Sequence, residues 1–86
     1  MNAYKLTVST PSGKVFDDNV TYLGIRGTEG EMGIMAGHSP VVTTVVKSTC
    51  KIKLTDDSVF YADVSEGLLT VAKDGATLLV HQFIKM

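Results

Sequence analysis

The sequence has no tryptophan, one cysteine, two prolines and no excess of basic charge. Each shortage excludes something. A single cysteine, Cys50, cannot build a disulfide framework and fits a reducing compartment. Eight Lys and Arg stand against nine Asp and Glu, a formal net charge of −1. Nucleic-acid surfaces need basic charge gathered in a patch, so no nucleic-acid partner is expected. Lys47, Lys51 and Lys53 form a small cluster, read as the solvated face of a strand. No apolar run approaches the roughly 18 residues that span a bilayer as a helix. Residues 1–10 lack the apolar stretch of a signal peptide. The absence of tryptophan weighs against a free-standing sandwich that binds carbohydrate or peptide in an aromatic groove. The rings present (Tyr4, Tyr22, Tyr61, Phe16, Phe60, Phe83) fall mostly on core-phase strand positions.

Strand signals fill the space. With 86 residues there is room for one domain. A domain of this size buries only about 60–65% of the surface its unfolded chain exposes, so stability is modest unless a partner adds to it. Tyr4, Leu6 and Val8 alternate with Lys5, Thr7 and Ser9, the period of a half-buried strand. Pro11-Ser12-Gly13-Lys14 reads as a tight turn, with Pro setting one backbone angle and Gly supplying positive φ. Val15-Phe16 begins a short return strand that Asp17-Asp18-Asn19 is expected to break. Residues 20–26 form an irregular strand with a bulge expected at Gly24. Glu31 to Met35, Val41 to Val46, residues 50–54, Val59 to Val64, Leu68 to Ala72 and Leu78 to Phe83 complete the set. Thr55 to Ser58 is a hairpin turn, and Asp74-Gly75 fits a type I′ turn. Many short strands separated by turn residues predict an all-β sandwich or flattened barrel.

Residues 27–45, GTEGEMGIMAGHSPVVTTV, carry Gly27, Gly30, Gly33 and Gly37 together with His38 and Pro40. A phosphate loop needs Gly-Lys-Ser/Thr leading into a helix, and a dinucleotide fingerprint needs Gly-x-Gly-x-x-Gly opening one. Neither is present. No Lys or Arg lies between Arg26 and Lys47, while Glu29 and Glu31 would repel phosphate. A metal site needs three or four ligands at workable spacing, and His38, His81 and Cys50 offer no close pair. His38 and Ser39 are neighbours on an extended chain, so their side chains diverge and do not form a nucleophile and base. Cys50 reads as a small packing residue. No catalytic residue, cofactor or metal is expected. His38 reads as a structural residue in a Gly-x-x-Pro turn. Met32, Ile34 and Met35 add apolar content. They suit either a protein-binding loop or the filling at the end of a sandwich, and the residues leave both open.

Gly27-Thr28-Glu29-Gly30-Glu31-Met32-Gly33-Ile34, followed by Gly37-His38-Ser39-Pro40-Val41-Val42-Thr43, resembles the epsilon subunit of F-type ATP synthases. That family runs Gly-x-x-Gly-x-hydrophobic-Gly-hydrophobic and then Pro-Gly-His-Ala-Pro. Leu6 to Gly13 looks like its opening strand and turn, Gly67 to Val71 like its late Gly-apolar segment, and Val80 to Lys85 like the end of its N-terminal domain. The likeness covers essentially the whole chain. Three positions depart. Ala36 replaces a usual Pro, which predicts a looser turn. Ser48-Thr49 replaces a common Pro-Gly, which predicts longer flanking strands. Glu66 replaces a second Gly, which puts a close approach there in question.

The resemblance implies a flattened antiparallel β-sandwich of about ten strands in two sheets, spanning residues 1–86. It implies a non-catalytic rotor subunit that links the gamma subunit to the membrane c-ring of a proton-translocating synthase. Glu29, Glu31, Met32 and His38 would then belong to a loop facing the c-ring, with Glu31 and Met32 at its outward edge. Gly27, Gly30, Gly33, Gly37 and Pro40 would shape it. Family members commonly continue as two helices, an inhibitory arm that binds ATP in some bacteria. This chain stops short of them, so neither ATP binding nor inhibition is expected. Its place would be peripheral, without insertion into the bilayer, on the cytoplasmic face of a bacterial inner membrane. A plastid thylakoid's stromal face is the alternative.

Overall fold

Alternating side chains force each strand to offer one apolar face, and two such faces must cover each other. In the computed structural model, which describes residues 2–86, nine strands do this. They are β1 (Tyr4–Thr10), β2 (Gly13–Gly27), β3 (Gly30–Ile34), β4 (Val41–Val45), β5 (Ser48–Leu54), β6 (Val59–Val64), β7 (Gly67–Ala72), β8 (Gly75–Val80) and β9 (Phe83–Lys85). They hydrogen-bond in the order β1-β8-β7-β4-β2-β5-β6-β9, with β3 on β2 and a closing β1–β2 pairing. The all-β sandwich expected from the sequence is therefore present. It holds nine strands rather than ten, in one continuous hydrogen-bonded sheet folded into two layers. One pairing, β1 with β8, is parallel, and every other is antiparallel.

The fold depends on β2. The polar triplet Asp17-Asp18-Asn19 does not break it. These residues pair with Thr7, Leu6 and Lys5 of β1 and are exposed. Lys5 Nζ lies 3.0 Å and Lys14 Nζ 3.2 Å from the Asp17 carboxylate, which compensates the acidic charge. Those contacts, Lys5 first, hold the Asp17 carboxyl below its ordinary range. β2 then changes partners. Its first half pairs with β1, and its second half with β3 and β5. The register shift lies between Val20 and Tyr22, not at Gly24. An extra residue there bends a strand and increases its twist, so β2 passes from one layer to the other.

One layer is β4-β7-β8-β1 with the start of β2. The other is β3, the end of β2, β5, β6 and β9. Leu6, Val8, Leu69 and Leu78 from the first meet Leu23, Ile25, Ile34 and Ile52 from the second, all buried. Phe16, Phe60 and Phe83 close one side of this core, with ring centroids 5.7 and 6.3 Å from Phe16. No polar side chain is buried among the described residues.

Two turns differ from expectation. Neither Lys73 nor Asp74 has positive φ, so the β7–β8 hairpin is not type I′. The predicted strand over 78–83 is two strands. The His81 and Gln82 N–H groups donate to Ser65 Oγ at 2.9 and 3.1 Å, and this anchor carries the chain from β8 across to β9. Ser48-Thr49 does lie within β5, which lengthens that strand as the sequence suggests.

Candidate functional site

The glycine-rich stretch is not one wide loop. Gly27 pairs with Gly30 across the two-residue loop Thr28-Glu29, and Gly30 takes φ +122 to close it. Thr28 N–H donates to Thr44 O at 3.2 Å, fastening this hairpin tip to β4. β3 then runs its full length before a second turn, Met35 to His38. The His38 N–H donates to the Met35 carbonyl at 3.1 Å, with Gly37 at φ +84. Those are the marks of a type II turn, whose third position needs positive φ. The loosening expected from Ala36 in place of Pro is not seen. The two turns lie at opposite ends of β3, about 13 Å apart at the strand rise.

This separates residues that the resemblance places in one loop. Glu29 is exposed at the hairpin tip. Glu31 is exposed beside it, its carboxylate a loose 3.9 Å from Arg26. Met32 does not form an outward edge. It faces Ile25 across β2–β3 and packs, half-buried, on the core, because its phase on β3 is the inward one. Of the two methionines in this stretch the exposed one is Met35, at 58%. His38 is exposed at the far end of β3, its Nδ1 2.6 Å from the Ser39 carbonyl, which fits its reading as a turn residue. Pro40 is exposed and leads directly into β4. Gly33 pairs with Gly24, and the Tyr22 ring covers both; a β-carbon on either would come within 2.9 Å of it.

Tyr4 donates its hydroxyl to the Ile34 carbonyl at 2.8 Å and ties β1 to the end of β3. Burial, then the nearby Tyr22, push the Tyr4 hydroxyl well above its ordinary value. Burial raises the Cys50 thiol to about 11, so it is not poised as a nucleophile. Among the described residues no three His, Cys, Asp or Glu side chains are arranged to hold a metal ion. Among the described residues no helix is long and apolar enough to cross a membrane. What the arrangement offers is surface.

One surface escapes the motif reading. On the outer side of β4, β7, β8 and β1, register places Thr44, Leu68, Leu79 and Ser9 in one cross-strand row. Val42, Thr70, Thr77 and Thr7 form the next. Neither row holds a charge, and Val42 is 65% exposed, Leu79 47%. Outward strand positions in a solvated sheet are normally polar and often charged. The signal was present in the sequence as strands whose outward phase is Thr, Val and Leu, but only register aligns them.

Comparison with known proteins agrees with this architecture. The family model described as ATP synthase, Delta/Epsilon chain, beta-sandwich domain matches residues 3–86. The ATP synthase epsilon chain of Staphylococcus aureus strain JH9 is 37% identical over 82 residues, covering 94% of this chain and 60% of the relative. The strain Newman protein gives the same figures. The chain thus spans about 60% of the length of the curated relatives it matches. Among solved structures, a chain of the Euglena gracilis mitochondrial ATP synthase (OSCP/F1/c-ring, rotational state 1) superposes with TM-score 0.91 at 20% identity, over 96% of this chain and 53% of that one. A chain of the Tetrahymena thermophila mitochondrial ATP synthase central stalk/c-ring gives TM-score 0.78 at 16% identity, over 96% and 66%. At those identities the likeness shows the fold. The match of the family model across nearly every residue establishes more: the chain belongs to the ATP synthase delta/epsilon β-sandwich domain family.

Proposed function

We propose that this chain is a non-catalytic central-stalk subunit of an F-type ATP synthase, linking the gamma subunit to the c-ring and turning with them. The observation that carries the reading is the uncharged outer face of β4-β7-β8-β1, in a domain of this family. A rotor element must be stiff and must hold two partners. Stiffness follows from a dense core and a sheet closed by the β1–β2 pairing. The uncharged face would pack on gamma, since burying its apolar side chains is favourable and its hydroxyls, which cost less to dehydrate than charges, can hydrogen-bond across the contact.

The β2–β3 hairpin would meet the polar loops of the c-ring. Glu29 and Glu31 at its exposed end suit a basic rim residue, while Met32 supports the strand from within. An exposed pair of that kind contributes about 0–1 kcal/mol and so sets register more than affinity. His38, a β3 length away, would not share this contact. The work is mechanical, so no cofactor is required. The protein would sit peripherally on the cytoplasmic face of a bacterial inner membrane, or on the stromal face of a thylakoid. Co-expression with the gamma subunit tests the reading: the two are expected to purify as a stable complex. A monomer with no affinity for gamma overturns it.

A further inference from the structure

The opposite layer carries a different surface, and it does not depend on the rotor reading. Its outer rows run across β3, β2, β5 and β6. Tyr22 pairs with Lys53, and Gly33, Gly24 and Lys51 lie in line with Tyr61. The Gly24–Gly33 pair leaves the backbone bare, and the Tyr22 ring lies across it. Beside the ring is an open groove of about 550 Å³, bordered by Met35, Lys51 and Lys53.

The charges at this groove are one-sided. Lys51 and Lys53 stand two residues apart on one face of β5, about 7 Å between Cα atoms. Lys51 joins no ion pair among the described residues. Lys53 reaches only Asp57, at 3.8 Å with both side chains exposed. Lys85, by contrast, is engaged over the Phe60 ring at 4.7 Å. One unpaired and one loosely paired ammonium group therefore flank an aromatic face and an exposed methionine. We propose that this groove docks an acidic segment of a partner protein, one that presents two carboxylates to Lys51 and Lys53 and an apolar side chain to Met35 and Tyr22.

Charge complementarity selects that occupant. A broad anionic membrane would also meet Asp63, exposed on the same layer outside the groove, and this would repel it, whereas a narrow segment need not reach it. A small anion would use the ammonium groups and leave the Tyr22 and Met35 surface uncovered. A narrow peptide uses both. Methionine suits such a site because its flexible, polarizable side chain adapts to the partner.

The test is an amide chemical-shift titration of the chain with a synthetic peptide alternating glutamate and leucine. Saturable shifts are expected at Tyr22, Gly33, Met35, Lys51 and Lys53. The double variant Lys51→Gln/Lys53→Gln should bind about tenfold more weakly. Both lysines contact solvent, so its spectrum elsewhere should stay unchanged. Unaltered affinity in that variant, or shifts mapping to another face, overturns the proposal. So do equal shifts at this groove from inorganic phosphate, or from vesicles containing phosphatidylserine.

Discussion

At Gly67 a β-carbon would overlap the Leu79 carbonyl oxygen across the β7–β8 pair, and that oxygen belongs to strand backbone that cannot swing away. At Gly33 the obstacle is the Tyr22 ring, the far end of a side chain that can rotate outward. Gly67→Ala should therefore cost about 2–3 kcal/mol, and Gly33→Ala less than about 1. Urea unfolding midpoints of the two variants check this, and equal costs would remove the distinction. The close approach that Glu66 put in question thus lies one residue on, while Glu66 itself is exposed. Cys50 gives a second residue-level test. Burial raises its thiol to about 11, above its ordinary value of 9.0. A raised acid binds its proton more tightly in the folded state, so the stability it contributes is complete below pH 9. That contribution falls as pH rises from there towards 11. Tyr4 acts in the same direction at still higher pH. Unfolding measured across that alkaline range should show a shallower loss in Cys50→Ala than in the parent chain.

Among the elements, the Met35–His38 turn shows how propensity and geometry meet. Gly37 at φ +84 fills the third position, so Ala36 occupies the position where Pro is favoured. Ala36→Pro should stabilise the chain by about 0.4–1 kcal/mol through the unfolded state, raising Tm by a few degrees. Gly37→Ala should cost about 1–2 kcal/mol despite open space around it, because the left-handed region is strained for alanine. Thermal melts of both variants decide whether the turn is type II. The same segment marks what was legible in the sequence. Strands such as β1 and β5 stand out because one face is apolar and the other polar. The β2 continuation through Asp17 does not, since the lysines that neutralise it come from Lys5 on another strand and Lys14 before it. Met32 and Met35 look alike in sequence, and only the phase of β3 sends one inward and the other to solvent. Local pattern therefore located the hairpin and the His38 turn, while their separation by a strand length needed the fold.

Across the whole molecule the two outer faces have opposite character, and that difference predicts which one a large partner covers. Thr44, Leu68, Leu79 and Ser9 with Val42, Thr70, Thr77 and Thr7 form a face without charge, bordered by the Lys5–Asp17–Lys14 ion pairs. The other layer presents Lys51, Lys53, Asp63 and Arg26. Interface cores are depleted of charge and rims are polar, so the first face matches a large contact and the second a smaller, directional one. Val42 and Val59 make a matched pair of probes, one on each layer, both outward and exposed at 65% and 43%. Lysine at either site touches solvent rather than core, so each variant should unfold within about 0.5 kcal/mol of the parent. Their effects on assembly should diverge. In Val42→Lys an ammonium would be buried against gamma without a partner charge, and the complex should weaken at least tenfold. In Val59→Lys the added charge stays in water and affinity for gamma should be unchanged. Comparable losses in both variants would mean that gamma does not distinguish the faces, and the uncharged layer would no longer be its docking surface.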